Sequence, residues 1–207
     1  MNKKRLVLGT KNKDKLRELK RLLSGSKVEV MSLADFKKCE DVIEDGKTFA
    51  ANAKKKARNY SLCTKSLALA DDSGLMVNFL NGKPGVYSAR FAGKNCTYHD
   101  NNTKLLQLMH GLPAFRCKAK FICVMALYDN GKWISTVKGE CHGRIAPAES
   151  GKNGFGYDPV FIPDGFTKTF AELSSSDKNK ISHRGKALRA AKKVILSYLR
   201  KRIPRGR

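Results

Sequence analysis

The stretch "SLALADDSGLMV" (residues 66–77) decides the fold. Its first five residues are mostly apolar, which is typical of a strand buried on both faces at the centre of an α/β sheet. Asp71 and Asp72 end this run, and Ser73 and Gly74 follow directly. The composition suits a tight turn. It equally suits a site, because open α/β sheets place their chemistry at the carboxyl ends of strands, so the residues alone leave both interpretations open.

The segments around this stretch complete an α/β pattern. The run "RLVLGT" (5–10) predicts a strand, and the leucine-lined run at 12–25 predicts a helix packed on it. A second strand is expected over 28–31 and a second helix over 48–61, with Thr48 as its N-cap. Later segments predict helices over 100–112 and 182–200 and an irregular, Gly- and Pro-rich segment over 147–166.

The clearest local signal is a β-hairpin. Two β-rich runs, which together cover residues 118–145, flank the sequence "DNGK" (129–132). An Asn-Gly pair is typical of the two-residue turns that join antiparallel strands. The fold class that follows is mixed α/β with a long antiparallel hairpin.

Composition limits the class of protein. A hydrophobic content of 41% in 207 residues is that of a globular chain. The longest apolar run, "FICVMALY" (121–128), is the size of a strand, and the N-terminal run "LVLG" is too short for a signal-peptide core. We therefore expect a cytoplasmic protein that does not associate with membranes.

Cysteine, histidine and charge give three further expectations. The six cysteines have no C-x-x-C spacing, which favours free thiols, and the four histidines show no metal-binding spacing. The net charge of +24 is open to two explanations: nucleic-acid binding, or solvated lysines around an anionic small-molecule site. Since no nucleic-acid-binding motif is present, we favour the second and do not expect nucleic-acid binding.

Two segments could bind a metal–phosphate ligand. The loop "GTKNKDK" (9–15) leaves a strand and enters a helix, a position whose free N–H groups bind anions, and its three lysines add positive charge. An ordinary polar loop is the alternative. An acidic cluster, Glu40, Asp41, Glu44 and Asp45, is either a solvated loop or a contributor to a hard-cation site, because Mg²⁺ prefers a few carboxylates together with substrate phosphates.

Two later segments could bind a planar base. In "GKNGFGYDPVF" (151–161), Phe155 and Tyr157 lie among glycines and could form a stacking surface. In "SHRG" (182–185), His183 and Arg184 could donate to a purine's exocyclic oxygen, although Ser182 could also simply cap the helix. Phosphate loop, carboxylates, stacking surface and base-edge donors together describe an Mg²⁺-dependent nucleoside triphosphate enzyme.

Six segments carry a resemblance to a known family. The sequence resembles the bacterial-type inosine triphosphate pyrophosphatases, also called dITP/XTP or non-canonical purine NTP pyrophosphatases. The matching segments follow the family's order and span nearly the whole chain: "TKNKDKLREL" (10–19), "EDGKTFAANAKKKA" (44–57), "ADDSGL" (70–75), "GKPGVYSARFAG" (82–93), "GFGYDPVF" (154–161) and "AELSSSDKNKISHRGKAL" (171–188).

The resemblance implies a fold and a reaction. The fold would be an elongated α/β structure with two lobes around a long central mixed β-sheet, with the active site in the cleft between the lobes and residues 1–207 forming one domain. The protein would be a homodimeric hydrolase that uses Mg²⁺ to convert ITP, dITP and XTP to the monophosphate and pyrophosphate. It would thereby keep these nucleotides out of DNA and RNA.

The resemblance also implies roles for individual residues. Asp72 matches the general base and a metal ligand, and Glu44 matches the other metal-site acid. Asp71 is expected to be a partner of Asp72. Lys11 stands where many family members have glycine. The positions that match substrate-binding residues are Thr10, Lys11, Asn12, Lys13, Asp14, Lys15, Ser73, Phe155, Gly156, Tyr157, Asp158, Lys178, His183 and Arg184.

Two other functions compete with this one. A pyrophosphatase for modified pyrimidine or methylated nucleotides would use the same kinds of residue on other substrates. A basic RNA- or DNA-binding protein would instead show salt-sensitive binding to any strand.

Overall fold

The computed structural model describes residues 4–10, 13–36 and 38–201 and shows a mixed α/β fold. Its strands form one six-stranded sheet in the order β2-β1-β3-β4-β5-β6. The strands are β1 Lys4–Leu8, β2 Val28–Ser32, β3 Leu67–Val77, β4 Lys118–Asp129, β5 Lys132–Ile145 and β6 Phe161–Pro163. The predicted α/β class is confirmed.

Five α-helices accompany the sheet in the described ranges. They are α1 Lys13–Leu22, α2 Phe49–Thr64, α3 Tyr98–Met109, α4 Ser175–Ile181 and α5 His183–Lys201. Thr48 caps α2 as predicted, because its hydroxyl accepts a hydrogen bond from the Ala51 amide at 3.1 Å. In the parts of the chain that the structure describes, no helix is both long enough and apolar enough to cross a membrane.

Strand β3 lies inside the sheet, as its apolar sequence predicts. β1 pairs in parallel with β2 on one side and with β3 on the other, with Leu6 opposite Leu67. The strand continues through both aspartates to Val77. The turn interpretation of "DDSG" is therefore wrong, and the two carboxylates are part of a buried strand.

The hairpin is confirmed where the Asn-Gly pair predicts it. Only Asn130 and Gly131 separate β4 from β5, and both have positive φ, 46° and 80°. Such angles match the right-handed twist of paired strands, and a connection of two residues requires antiparallel neighbours. β5 then pairs antiparallel with β6, which makes the sheet mixed.

The segment expected to be irregular contains some regular structure. Val160, Phe161 and Ile162 are almost completely buried, and residues 161–163 form β6. Pairing with β5 provides hydrogen-bond partners for the backbone of this short apolar run. The run was not predicted as a strand because glycines and prolines surround it in the sequence. Helix α4 was also missed, although Ser174 caps it by accepting from the Asp177 amide.

The chain divides into two compact units, each discontinuous in sequence. The first unit contains residues 1–72, 124–138 and 187–207, and the second contains 73–123 and 139–186. In the second unit, three buried phenylalanines (121, 161 and 170) pack with ring centroids 4.7–5.9 Å apart. In the first unit, Leu6, Val7 and Leu19 are fully buried.

A disulfide corrects the expectation of six free thiols. Cys39 and Cys63 are bonded, with their Cα atoms 5.8 Å apart and a sequence separation of 24. The bond joins the segment before α2 to the last turn of α2. The remaining cysteines, 96, 117, 123 and 141, are not in disulfides. Sequence spacing could not reveal the pair, because only the tertiary fold brings the two positions together.

The disulfide should stabilise the protein measurably. Replacing Cys39 with serine is expected to lower the free energy of unfolding of the oxidised protein by about 2–4 kcal/mol, because the cross-link restricts the unfolded chain. Urea unfolding, followed by far-UV circular dichroism, measures the change. The same comparison in a thiol reductant is the control and should remove most of the difference. A full difference that persists in reductant would contradict the assignment.

Candidate active site

The two adjacent aspartates of β3 are buried and have different partners. Asp71 and Asp72 are only 6% and 8% exposed. Because successive side chains alternate along a strand, the two carboxylates point apart. Asp71 accepts from the Lys15 ammonium of α1 at 2.9 Å, and Asp72 accepts from the Asn52 amide of α2 at 2.9 Å. Burial of both carboxylates is thus compensated by hydrogen-bond donors from two helices.

A cavity of about 350 Å³ lies beside Asp71 in the first unit. We call it the first-unit cavity. It brings together six residues from the motifs singled out in the sequence: Gly9, Thr10, Lys15, Asp41, Glu44 and Asp71. Asp72 follows Asp71 in the same strand and is not among the lining residues. The residues that line the first-unit cavity are Gly9, Thr10, Lys15, Leu33, Asp41, Glu44, Lys56, Tyr60 and Asp71.

Helix α2 holds the acidic segment in place. The Lys56 ammonium lies 2.9 Å from the Glu44 carboxylate, and only 11% of the Lys56 side chain is exposed. One turn earlier, the Asn52 carbonyl oxygen accepts from the Gly46 amide at 2.8 Å. Asn52 is 1% exposed and uses its two amide atoms on two partners. It therefore links the acidic segment to the Asp72 carboxylate.

Tyr60 forms another wall of the first-unit cavity. Burial raises the pKa of its hydroxyl above the usual value, although a hydrogen bond with the Val42 backbone opposes the shift. The hydroxyl is therefore neutral at physiological pH. The ring lies against the backbone of Gly9, where an added Cβ would come within 2.5 Å of a ring carbon. Glycine at this position lets the strand end approach α2 closely.

The rest of the predicted phosphate loop is only partly described. Lys11 and Asn12 lie outside the described residues. Lys13 and Asp14 begin α1, and their side chains are likewise outside the description. Thr10 and Lys15 are the two loop positions that the structure places at the first-unit cavity.

A second group of predicted residues lies in the second unit, around the loop of residues 154–158. Asp158 is 3% exposed and organises this loop. Its Oδ2 accepts from the Phe155 amide at 2.7 Å and from the Lys178 ammonium at 2.5 Å. Gly154 has a φ of 79°, and an added Cβ would collide with the Asp158 carboxylate. The loop requires both the glycine and the buried acid.

Phe155 is the exposed aromatic ring of this group. It is 43% exposed, and the Lys178 ammonium and the Arg184 guanidinium each lie 5.2 Å from its ring centroid. Arg184 also donates to the Ser73 hydroxyl at 3.3 Å. The 154–158 loop and the start of α5 thus bring Ser73, Phe155, Lys178 and Arg184 together.

Tyr157 does not share this exposed surface. It is 4% exposed, and its hydroxyl donates to the Ser88 carbonyl at 2.9 Å. Burial raises its pKa far above the usual value, so the hydroxyl remains a neutral donor. The expectation of a stacking surface made by both rings is therefore wrong for Tyr157, because its ring is buried in the core of the second unit.

His183 is packed against a neighbouring ring, and Ser182 caps the helix that begins at His183. The His183 imidazole is 7% exposed and stacks on Phe121, with ring centroids 4.6 Å apart and planes 9° apart. Ser182 accepts from the Gly185 amide at 3.1 Å and so caps α5. The helix-cap interpretation of "SHRG" is therefore confirmed, and the predicted contact of His183 and Arg184 with a purine stays a prediction.

Sequence reasoning missed three residues of α2: Asn52, which contacts Asp72, and Lys56 and Tyr60, which line the first-unit cavity. They recur every four residues and lie on the buried face of α2. A buried lysine or asparagine needs a polar partner. Polar residues at these apolar-face spacings were the signal that could have revealed them.

The fold and the site define a mixed α/β protein with carboxylates and ammonium groups around one cavity. The sequence matches the Ham1 family over residues 6–194. A dITP/XTP pyrophosphatase of Desulforamulus reducens is 48% identical over 191 residues, which cover 92% of this chain and 95% of the relative. One of Thermoanaerobacter pseudethanolicus is 46% identical over 195 residues, covering 94% and 98%.

Solved structures agree with these relatives. A HAM1 protein from Coxiella burnetii superposes with a TM-score of 0.88 at 39% identity, covering 94% of this chain and 99% of that one. The Ham1 protein of Staphylococcus aureus gives 0.87 at 34% identity, covering 94% and 100%. The chain belongs to the Ham1 family, and the resemblance found in its motifs is confirmed.

The link made by Asn52 should be important for stability. Asn52→Ala is expected to lower the free energy of unfolding by about 2–4 kcal/mol, because it removes one hydrogen-bond partner from the buried Asp72 carboxylate and one from the Gly46 amide. Chemical denaturation measures the effect. Asn59→Ala, on the same helix, is the control and should change stability by less than about 0.5 kcal/mol. Equal effects at both positions would contradict the role given to Asn52.

Proposed function

We propose that this protein hydrolyses the non-canonical purine nucleoside triphosphates ITP, dITP and XTP to the monophosphate and pyrophosphate, with Mg²⁺ as cofactor. One observation carries the proposal: Glu44 and Asp71 line the same cavity as Lys15 and Thr10. Carboxylates suit a hard cation, and the ammonium and hydroxyl suit phosphate oxygens. The names of the relatives, dITP/XTP pyrophosphatase, support the same reaction.

The residues present fit a magnesium ion that is shared with the substrate. Among the described residues, no group of three or more His, Cys, Asp or Glu side chains could hold a metal by itself. Mg²⁺ commonly binds through one or two carboxylates and completes its coordination with waters and phosphates. The resemblance makes Glu44 and Asp72 the proposed ligands, and Asp71 is the β3 carboxylate that lines the first-unit cavity together with Glu44. The chemistry that Mg²⁺ supplies when bound is neutralisation of charge on the phosphate oxygens.

The chain's own groups would carry the remaining steps. Asp72 is proposed to orient a water molecule and accept its proton as the water attacks the α-phosphorus. Asn52 holds the Asp72 carboxylate in place through its donated hydrogen bond. Lys15 and the start of α1 would stabilise the negative charge that develops on the phosphate oxygens. Pyrophosphate then leaves, and the monophosphate keeps the new oxygen.

The second-unit group is proposed to bind the base. Phe155 offers an exposed ring face for stacking, and stacking of this kind contributes about 1–3 kcal/mol per base. His183 and Arg184 are proposed to favour the 6-oxo group of hypoxanthine or xanthine over the 6-amino group of adenine. A donor facing the adenine amino group would leave polar groups unpaired, which strongly disfavours binding. Ser73, Gly156, Tyr157, Asp158 and Lys178 complete the proposed substrate-binding set, together with Thr10, Lys11, Asn12, Lys13, Asp14 and Lys15.

The cellular role follows from this activity. Removal of ITP, dITP and XTP would keep these nucleotides out of DNA and RNA. We further propose that the protein acts in the cytoplasm as a homodimer and binds no nucleic acid. These three proposals rest on the family resemblance and on the composition of the chain.

Pyrophosphate release across five nucleotides tests the proposed function. ITP, XTP and dITP should be hydrolysed at least about a hundredfold more efficiently than ATP, because the 6-amino group mispairs with the donors at the base site. GTP belongs in the same panel. Turnover should require Mg²⁺ and stop when the metal is chelated. Preference for modified pyrimidine or methylated nucleotides, or salt-sensitive nucleic-acid binding without pyrophosphate release, would contradict the proposal.

Replacing the proposed base tests the mechanism. Asp72→Asn should lower kcat for ITP by about a hundredfold or more, because the amide cannot accept the proton of the attacking water. Its carbonyl oxygen can still accept from Asn52, so the melting temperature should change little. Asp164→Asn, at an exposed aspartate, is the control and should retain normal kcat. Near-normal turnover by Asp72→Asn would rule out the role given to Asp72.

A further inference from the structure

The loop that presents Phe155 cannot hold the ring in place by itself. Phe155 lies between Gly154 and Gly156, whose φ angles are 79° and 64°. Glycine gives the backbone wide conformational freedom. Three residues of the predicted motifs restrain the ring: Asp158 accepts from the Phe155 amide, and Lys178 and Arg184 contact the Phe155 ring. Two further contacts come from α3, a helix to which no site residue has been assigned.

Both contacts come from one face of α3. The Tyr98 ring lies 6.3 Å from the Phe155 ring, centroid to centroid, with the planes tilted by 40°. Four residues later, and so on the same side of the helix, the Asn102 amide donates to the Gly156 carbonyl at 3.1 Å. One helix face thus touches the loop at its side chain and at its backbone.

The start of α3 is itself firmly fixed. Thr97 accepts from the Asp100 amide at 3.1 Å, and Asp100 accepts from the Thr97 amide at 2.8 Å, which forms a capping box. Tyr98 is the first residue of the helix. A capped first turn gives the Tyr98 ring a defined base from which to contact Phe155.

Asn102 shows that this contact is not made for stability alone. The residue is 2% exposed, and its carbonyl oxygen is buried with no hydrogen-bond partner among the residues that the structure describes. An unpaired buried acceptor costs stability, and an apolar side chain of similar size avoids that cost. The contribution of Asn102 therefore lies in the hydrogen bond that it donates to Gly156.

We propose that Tyr98 and Asn102 are positioning residues for base recognition: they hold the Phe155 ring in the orientation in which it stacks on the purine. The inference rests on the proposed function, because it takes Phe155 as the stacking ring. It predicts that changes at α3 weaken binding of the base and leave binding of the phosphates unchanged.

Three ligands separate these two effects. ITP carries base and triphosphate, inosine monophosphate carries the base with one phosphate, and inorganic tripolyphosphate carries no base. Tyr98→Ala should raise KM for ITP and Ki for inosine monophosphate by about two- to tenfold, the range of a lost aromatic contact. Ki for tripolyphosphate should stay at the wild-type value. Tyr98→Phe keeps the ring and should behave as wild type in all three measurements.

Asn102→Leu distinguishes positioning from folding. It should raise the same two constants while the melting temperature changes little, because losing the hydrogen bond to the half-buried Gly156 carbonyl and removing the unpaired buried oxygen oppose each other. Phe115→Ala, at an aromatic residue of the second unit that is 70% exposed, is the control and should change none of the constants.

The outcomes separate this inference from the proposed function. If the wild-type protein hydrolyses ITP and the constants of Tyr98→Ala and Asn102→Leu are unchanged, the inference is overturned and the proposed function stands. Parallel rises for inosine monophosphate and tripolyphosphate would also overturn it, since they would indicate a general disturbance. If wild-type protein released no pyrophosphate from any purine triphosphate, the proposed function would fail and this inference with it.

Discussion

The structure of the first unit depends on one constraint, the burial of two adjacent carboxylates in a central strand. An ionised carboxylate without partners is very costly in a protein interior. Asp71 is compensated by Lys15 and Asp72 by Asn52. Each partner comes from a different helix, so the positions of α1 and α2 are tied to β3. Asn52 in turn holds Gly46, and Lys56 pairs with Glu44, which places the acidic segment at the first-unit cavity.

The second unit uses a buried aspartate in a comparable way. Asp158 accepts from the Phe155 amide and from Lys178, and so shapes the 154–158 loop around one exposed ring. Arg184 reaches the same ring from the capped start of α5. In both units a buried acid is thus the organising element. In the first unit Asp71 lines the cavity together with Lys15, and in the second unit Asp158 supports the loop that exposes the Phe155 ring.

The sequence predicted those parts of the fold that depend on local chemistry. The Asn130-Gly131 turn, the Thr48 cap and the central position of β3 each follow from neighbouring residues, and each is present. The motifs also predicted that Thr10, Lys15 and Glu44 serve one site, and the structure places them at one cavity.

The features that were missed depend on contacts distant in sequence. The Cys39–Cys63 bond joins positions that only the fold brings together. The burial of Tyr157 depends on its contact with Ser88, 69 residues away. Lys56 looked like one more surface lysine in a basic chain, and only the structure shows it 8% exposed and paired with Glu44. Tertiary context decides such cases, because the same side chain is compatible with either environment.

The central claim is that water attacks the α-phosphorus of a purine triphosphate at the carboxylates of β3. Hydrolysis of ITP in ¹⁸O-labelled water, followed by mass spectrometry of both products, tests this claim most directly. The account predicts one labelled oxygen in inosine monophosphate and none in pyrophosphate. Label in pyrophosphate, or stepwise release of inorganic phosphate, would show that water attacks another phosphorus and would contradict the account.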